Sequence, residues 1–138
     1  MKRRDFIRSA AALAVVPLTL TSAQASTMYT LGLVDQELAA GKTVFLDFKA
    51  TWCSTCAAQE RVLDKLKGEN PDYEASVTFI DVDWDDFGRS ELVKRLKVPR
   101  RSTLIVLKGD AELGRIVAGT AEADIKALMD IALMASKA

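Results

Sequence analysis

The chain has 138 residues, of which 49% are hydrophobic and 28% charged, and its 19 basic residues balance its 19 acidic ones. This length and composition indicate one soluble globular domain and exclude a disordered chain. No basic stripe is interleaved with aromatic residues, so nucleic acid and membrane surfaces are not indicated as partners. The absence of histidine excludes every catalytic triad and metal site that depends on imidazole.

The first 25 residues have the features of an export signal. Lys2-Arg3-Arg4 and Arg8 form a positive start, residues 9–20 form a short apolar stretch, and Ala23-Gln24-Ala25 matches an A-x-A cleavage site. An apolar stretch of this length is too short to span a bilayer. We therefore predict a cleavable signal followed by a mature chain that carries 15 basic and 18 acidic residues.

The segment 2–8 resembles a twin-arginine export signal, although Lys2 stands where Ser or Thr is usual. The general secretory route is the alternative. No cysteine follows the apolar stretch, so a lipoprotein anchor is not expected. The domain organisation predicted is a twin-arginine-like signal over 1–25 and one domain over 26–138, in a soluble periplasmic protein of a bacterium.

Hydrophobic periodicity predicts an alternation of strands and helices along the mature chain. The order of elements predicts an α/β fold, a central mixed β-sheet flanked by helices on both faces. The predicted elements are a helix over 33–40 closed by Gly41, a strand over 43–48, a helix over 57–67, a turn over 68–71, a strand over 77–82, a helix over 89–96, strands over 103–107 and 112–117 joined by a turn over 108–110, and a helix over 122–136 with Met129 and Met134 in the core.

Both cysteines lie in one short motif, Cys53-Ser54-Thr55-Cys56, between the predicted strand 43–48 and the predicted helix 57–67. This spacing is typical of disulfide exchange. A sulfur at a helix N-terminus faces free backbone N–H groups and the positive end of the helix dipole, which favour the reactive thiolate. A static structural disulfide and half of a zinc site are alternatives, but two cysteines cannot supply four thiolates to zinc, and no metal site is predicted.

The segment Asp47-Phe48-Lys49-Ala50-Thr51-Trp52-Cys53-Ser54-Thr55-Cys56 resembles the Trp-Cys-x-x-Cys active site of the thioredoxin family, and the likeness extends over about 33–134. The resemblance, which is to periplasmic members similar to the DsbD C-terminal domain and TlpA, implies a thioredoxin fold and a thiol:disulfide oxidoreductase with no cofactor besides the dithiol. Cys53, expected to be the exposed cysteine, would attack a substrate disulfide, and Cys56 would resolve the mixed disulfide.

The resemblance also assigns roles to two neighbours of the cysteines. Asp47 corresponds to an acidic residue that the family buries behind the second cysteine, where a raised pKa would let it accept the Cys56 proton. The alternative is a half-exposed strand residue. Trp52 would border the substrate surface, or simply pack at the turn.

The clearest departure from the family lies at Ser102, where the family places a cis-proline before Thr at the start of the third strand. Pro99 stands three residues earlier, so either the loop is rearranged to bring Pro99 into this position or the cis-proline is lost. We favour the loss, and expect a trans bond or local strain at Ser102. Arg101, Ser102 and Thr103 are then candidate substrate-binding residues. The Ser102 hydroxyl, near Arg100 and Arg101, is a candidate to stabilise thiolate charge, or to open the dithiol to a metal or an iron–sulfur cluster shared between two chains.

Strong oxidants of this family carry a His between the cysteines that stabilises the reduced thiolate, whereas Ser54-Thr55 offers only hydroxyls. Asp47 also disfavours an anion near the sulfurs. Both features favour a reductase. The resemblance implies re-reduction by a membrane thiol transporter of the DsbD or CcdA type. Disulfides of periplasmic proteins, apocytochrome c among them, would be the substrates of a monomeric enzyme. A non-catalytic, metal-binding or iron–sulfur-binding module that kept the fold is the alternative.

Three further groups of residues are interpreted as structural. The acidic run 81–86 lacks the Gly and Glu of a calcium loop, so we interpret it as a solvated strand end. Trp84 is expected to be a partly buried packing residue. The default expectation for Arg100-Arg101 is a solvent-facing pair.

Overall fold

The computed structural model describes residues 14, 15, 17 and 25–138. The paired arginines, most of the apolar stretch, and Ala23 and Gln24 of the predicted cleavage motif lie outside these residues. None of the helices within the described part of the chain has the length and apolar character needed to cross a membrane.

A five-stranded mixed sheet forms the centre of the domain, in the order β1-β3-β2-β4-β5. β1, β3 and β2 are mutually parallel, whereas β4 pairs antiparallel with both β2 and β5. This arrangement confirms the predicted mixed sheet. The strands are β1 Thr27–Met28, β2 Thr43–Lys49, β3 Thr78–Asp83, β4 Thr103–Lys108 and β5 Ala111–Val117.

Within residues 25–138, six helices cover the two faces of this sheet. Side chains of α1, α4 and α5 pack against one face of the sheet in a first core cluster. Side chains of α2, α3 and α6 pack against the other face in a second core cluster. Helices on both faces are therefore confirmed as well. The helices are α1 Leu33–Ala39, α2 Ser54–Glu69, α3 Asp72–Ser76, α4 Trp84–Phe87, α5 Glu91–Leu96 and α6 Glu122–Ser136.

The alternation of side chains along β2 connects the two cores. Val44, Leu46 and Phe48 belong to the cluster with α1 and α5, and Phe45 belongs to the cluster with α2 and α6. Full burial of each such side chain contributes roughly 1.5–3 kcal/mol to folding. Since neighbouring strand residues point to opposite faces, Asp47 lies on the same face as Phe45, under α2.

Sequence periodicity missed β1, α3 and α4 because each is too short to show a period. The predicted turn over 68–71 is wrong in its first half, since α2 continues to Glu69. The next helix, α3, begins at Asp72, and the Asp72 N–H donates to the Asn70 side-chain oxygen at 3.1 Å. The acidic run 81–86 is more than a solvated strand end, because the Asp83 carboxylate caps α4.

One residue of the last helix was placed wrongly. Met129 is fully buried as predicted, but Met134 is 74% exposed. The helix face that meets the sheet ends at Ala132 and Leu133, so the next turn carries Met134 to the surface.

Candidate functional site

The two cysteines lie at the junction of β2 and α2. Cys53 is the N-cap of α2, with extended backbone, and its Sγ accepts the Cys56 N–H at 3.1 Å. Cys53 and Cys56 form a disulfide, with their Cα atoms 5.2 Å apart. After reduction, the same N–H and the helix dipole stabilise a thiolate on Cys53.

Both sulfurs are shielded from solvent. Cys53 is 4% exposed and Cys56 2%, so the prediction that Cys53 is the exposed cysteine is wrong for this disulfide-bonded form. The two cysteines pack with Ala50 and with the half-buried Trp84, which explains the shielding and confirms the packing role of Trp84. Only a small part of the Cys53 surface is therefore accessible to a substrate in this form.

Ser102 faces the disulfide at the start of β4. Its Oγ lies 3.1 Å from both the Cys53 and the Cys56 sulfur. Residues 25–138 contain no cis peptide bond, and Ser102 has φ 59° in the left-handed region, which side chains other than glycine rarely adopt. The prediction of a trans bond or local strain at Ser102 is confirmed, and the structure shows both.

Three hydrogen bonds hold the Ser102 backbone in this conformation. Its N–H donates to the Phe48 carbonyl at 2.7 Å, and its carbonyl accepts the Ala118 N–H at 2.8 Å. The Gln59 amide also donates to the Ser102 carbonyl, at 3.0 Å. Because the contacts come from β2, the end of β5 and α2, the serine is fixed from three sides.

Gln59 is a site residue that sequence reasoning missed. It is fully buried, and its Nε2 also donates to the Gly119 carbonyl at 3.0 Å, while its Oε1 has no hydrogen-bond partner. The available signal was its position one helical turn after Cys56, on the same face as Leu63. A polar residue on the apolar face of a helix marks a specific buried contact.

Asp47 is buried in β2, as predicted. It is 5% exposed, and its Oδ1 has no hydrogen-bond partner. Burial is the main cause that raises the pKa of Asp47 to about 7, and the negative charge of Asp81, directly opposite on β3, acts in the same direction while Lys49 opposes it. A carboxyl group with this pKa exchanges a proton readily near neutral pH.

A small polar cavity of about 20 Å³ lies beside Asp47. Lys49 Nζ at its rim is 3.0 Å from a Glu60 oxygen and 3.9 Å from an Asp81 oxygen. The volume suffices for one water molecule with several polar partners. The cavity therefore offers Asp47 a route for proton exchange with solvent that does not pass the disulfide.

Replacement of Asp81 tests the electrostatic part of this site. Asp81→Asn is expected to lower the pKa of Asp47, because it removes a negative charge that disfavours ionisation. The ionised fraction of Asp47 near about pH 6 should rise several-fold. NMR titration of the Asp47 carboxyl carbon measures the midpoint, with Asp64→Asn, at the same cavity, as matched control. An unchanged midpoint in Asp81→Asn would mean that burial alone sets the pKa.

Trp52 and Arg101 form the outer surface of the site. The Trp52 side chain is 58% exposed, its Nε1 donates to an Asp85 oxygen at 3.0 Å, and the Arg101 guanidinium lies 4.4 Å from its ring centre. The default solvent-facing interpretation of Arg100 and Arg101 is wrong, since both are half-buried. Substrate contact by Trp52 and Arg101 stays a prediction that this geometry permits.

Ser102 and Thr103 were predicted to bind substrate. Both are fully buried, and the Thr103 hydroxyl donates to the Arg100 carbonyl at 2.7 Å. This burial argues against direct substrate contact by either side chain in the disulfide-bonded form. Ser102 instead faces the reacting sulfurs from inside the protein.

No group of three or more His, Cys, Asp or Glu side chains suited to a metal ion is found in the part of the chain that the structure describes. The two sulfur ligands that a shared iron–sulfur cluster would need are joined to each other here. Chemistry without a metal or cofactor stays the expectation for this site.

Comparison with known proteins places these features in a family. The thioredoxin family model matches residues 29–131. A thioredoxin from Echinococcus granulosus is 34% identical over 88 residues, which are 64% of this chain and 76% of that protein. Thioredoxin H2-1 from Oryza sativa subsp. japonica is 34% identical over 76 residues, or 55% of this chain, and the chain spans only 51% of that rice protein.

A solved structure agrees with the sequence matches. Trxlp from Edwardsiella tarda EIB202 superposes with a TM-score of 0.62 at 26% identity, over 74% of this chain and 98% of that chain. The family model covers β2, the cysteine motif and α2, together with the remainder of the sheet. The chain therefore belongs to the thioredoxin family.

Proposed function

We propose that this chain reduces disulfide bonds of exported proteins in the bacterial periplasm. The observation that carries the proposal is the pairing of a helix-capping Cys53 with Cys56 three residues later, on the same sheet as a buried Asp47 whose pKa lies near 7. The dithiol supplies two electrons, and the carboxylate can take up the proton that must leave Cys56.

The charge around the sulfurs supports the reducing direction. The dipeptide between the cysteines, Ser54-Thr55, has no positive charge to stabilise a thiolate. Ionised Asp47 disfavours a second anion nearby, which stabilises the disulfide over the dithiolate. A protein with this balance gives electrons to substrates more readily than it removes them.

The periplasmic location is proposed from the export signal predicted at 1–25. An oxidising compartment requires that the disulfide be reduced again after each turnover. We infer a membrane thiol reductant of the DsbD or CcdA type as electron donor, and disulfide-containing periplasmic proteins as substrates. The exposed Trp52 ring beside Cys53 is the proposed contact for both.

A redox titration of the mature chain against dithiothreitol tests the direction of electron flow. We expect a potential near about −270 mV, the value for thioredoxin, and rapid exchange. A potential near about −120 mV would identify an oxidant instead. A potential below about −300 mV with slow exchange would identify a structural disulfide in a non-catalytic module. Fluorescence of Trp52 and Trp84, close to the disulfide, reports the redox state.

A further inference from the structure

We propose that Ser102 is a catalytic residue whose hydroxyl donates a hydrogen bond first to the Cys53 sulfur and then to the Cys56 sulfur during turnover. Gln59 is the positioning residue that holds the Ser102 hydroxyl between the two sulfurs. The proposal rests on thiol–disulfide exchange at Cys53 and Cys56. It assigns to two buried side chains a part in that reaction beyond the dithiol and Asp47.

The position of the Ser102 hydroxyl carries the proposal. Its Oγ is equidistant from the two sulfurs, at 3.1 Å from each, and Ser102 is fully buried. The hydroxyl is out of contact with bulk solvent at this position. Sulfurs joined in a disulfide cannot donate, so in this form the hydroxyl is the donor and can reach either sulfur by rotation about one bond.

Reduction of the disulfide gives the hydroxyl two simultaneous contacts. With Cys53 as thiolate and Cys56 as thiol, the Ser102 O–H donates to the Cys53 sulfur while the Cys56 S–H donates to the Ser102 oxygen. Hydrogen bonds to a charged sulfur are stronger than those to a neutral one, so the hydroxyl proton stays on the Cys53 side. The arrangement stabilises the attacking thiolate and keeps the resolving cysteine protonated.

After the first attack, the hydrogen bond of the Ser102 hydroxyl changes from the Cys53 sulfur to the Cys56 sulfur. Cys53 Sγ forms a bond to one substrate sulfur, the substrate S–S bond breaks, and the other substrate sulfur leaves as a thiolate. Cys53 then carries no charge, and the Cys56 proton passes to Asp47. The Ser102 O–H now donates to the Cys56 thiolate, which attacks Cys53 Sγ and expels the second substrate sulfur. The two electrons of the dithiol have passed to the substrate.

Gln59 keeps the hydroxyl in place through the backbone. One amide group donates to the carbonyls of both Ser102 and Gly119, at 3.0 Å each. Ser102 directly precedes β4 and Ala118 directly follows β5, and both have φ 59°. A residue other than glycine keeps this conformation only when its surroundings hold it there. The Gln59 amide opposes that relaxation.

The rate at which iodoacetamide alkylates Cys53 in the reduced protein measures the first role. Ser102→Ala is expected to slow this reaction about ten-fold below neutral pH, since a hydrogen bond to a charged group is lost. Ser76→Ala, which removes an exposed hydroxyl outside the site, is the control and should leave the rate unchanged. An unchanged rate in Ser102→Ala would overturn the proposal.

Single-turnover collapse of a mixed disulfide on Cys53 measures the second role. Ser102→Ala should slow this step as well, because the Cys56 thiolate loses the same donor. If alkylation slows but collapse does not, the hydroxyl serves one sulfur only and the alternation is refuted. Thermal unfolding confirms that each variant tested is folded.

Gln59→Met removes the amide while keeping a side chain of similar size. We expect a several-fold slower alkylation of Cys53, and a double variant with Ser102→Ala no slower than Ser102→Ala alone, because Gln59 acts through the Ser102 hydroxyl. Additive effects in the double variant would show that Gln59 is merely structural. Failure of the wild-type protein to reduce protein disulfides would refute the proposed function, yet leave the alkylation rates to decide on Ser102.

Discussion

Cys53→Ser is expected to abolish the reduction of protein disulfides. The serine oxygen can neither form the mixed disulfide nor complete the exchange of electrons, whereas a serine side chain can still cap α2 at this position. Turnover of a disulfide-bonded protein substrate with dithiothreitol as donor measures the loss. Ser76→Ala changes an exposed position outside the site and is expected to keep activity. Activity that persists in Cys53→Ser would end the oxidoreductase interpretation.

Cys56→Ser separates the two chemical steps. Cys53 can still attack a substrate disulfide in this variant, but no second thiol releases the product, so mixed disulfides are expected to accumulate. Non-reducing electrophoresis followed by mass spectrometry detects them and identifies the trapped proteins. Equal trapping by Cys53→Ser would contradict the assignment of Cys53 as the nucleophile. The trapped proteins also test the proposed periplasmic substrates.

Asp47→Asn is expected to change how stability depends on pH. The pKa of Asp47 is raised from 3.8 to about 7 on folding, so the folded protein binds this proton more tightly than the unfolded chain. Stability from this group is complete below about pH 4 and is lost as the pH rises through about 7. This loss in the free energy of unfolding is on the order of 4 kcal/mol. Asp47→Asn should not show the loss, because asparagine has no charge to bury.

Denaturant unfolding of both proteins from acid to neutral pH measures this difference. The stability of the variant relative to wild type should grow with pH until about pH 8. Asp64→Asn, an exposed position on the same cavity, serves as control. Parallel pH profiles for wild type and Asp47→Asn would show that Asp47 does not titrate near neutral pH in the folded protein.

The same variant tests the role of Asp47 as a base. Asp47→Asn should slow the collapse of the mixed disulfide more than the first attack by Cys53, because only Cys56 has to lose a proton during turnover. Single-turnover measurements separate the two rates. If the substitution leaves both rates and their pH dependence unchanged, Asp47 has a structural role alone.

Several features of the fold followed from local patterns. The β-branched and aromatic run at 43–48 and the apolar spacing after Cys56 predicted β2 and the body of α2. The turn 108–110 and its flanking strands predicted the β4–β5 hairpin. Elements of two to five residues did not follow, because their stability comes from contacts distant in sequence: β1 is held by pairing with β3, and α3 by Tyr73 in the second core.

The sequence by itself determined which reactive groups lie together in the chain. Two cysteines at this spacing, between a strand and a helix, specify a dithiol at a helix start, and the absence of histidine removes the common alternatives. The position of Asp47 between two apolar strand residues predicted its burial. These are local properties, since strand alternation and helix capping depend on neighbours within a few residues.

Only the tertiary structure decided what surrounds the sulfurs. Ser102 is 49 residues from Cys53, and the Oγ position between the two sulfurs results from the pairing of β4 with β2 and from the left-handed backbone at its start. Gln59 acquires its role only because α2 packs where two carbonyls need a donor. Asp81 raises the pKa of Asp47 because the strand register places the two carboxylates opposite each other. Such contacts depend on the packing of distant segments, which no local pattern contains.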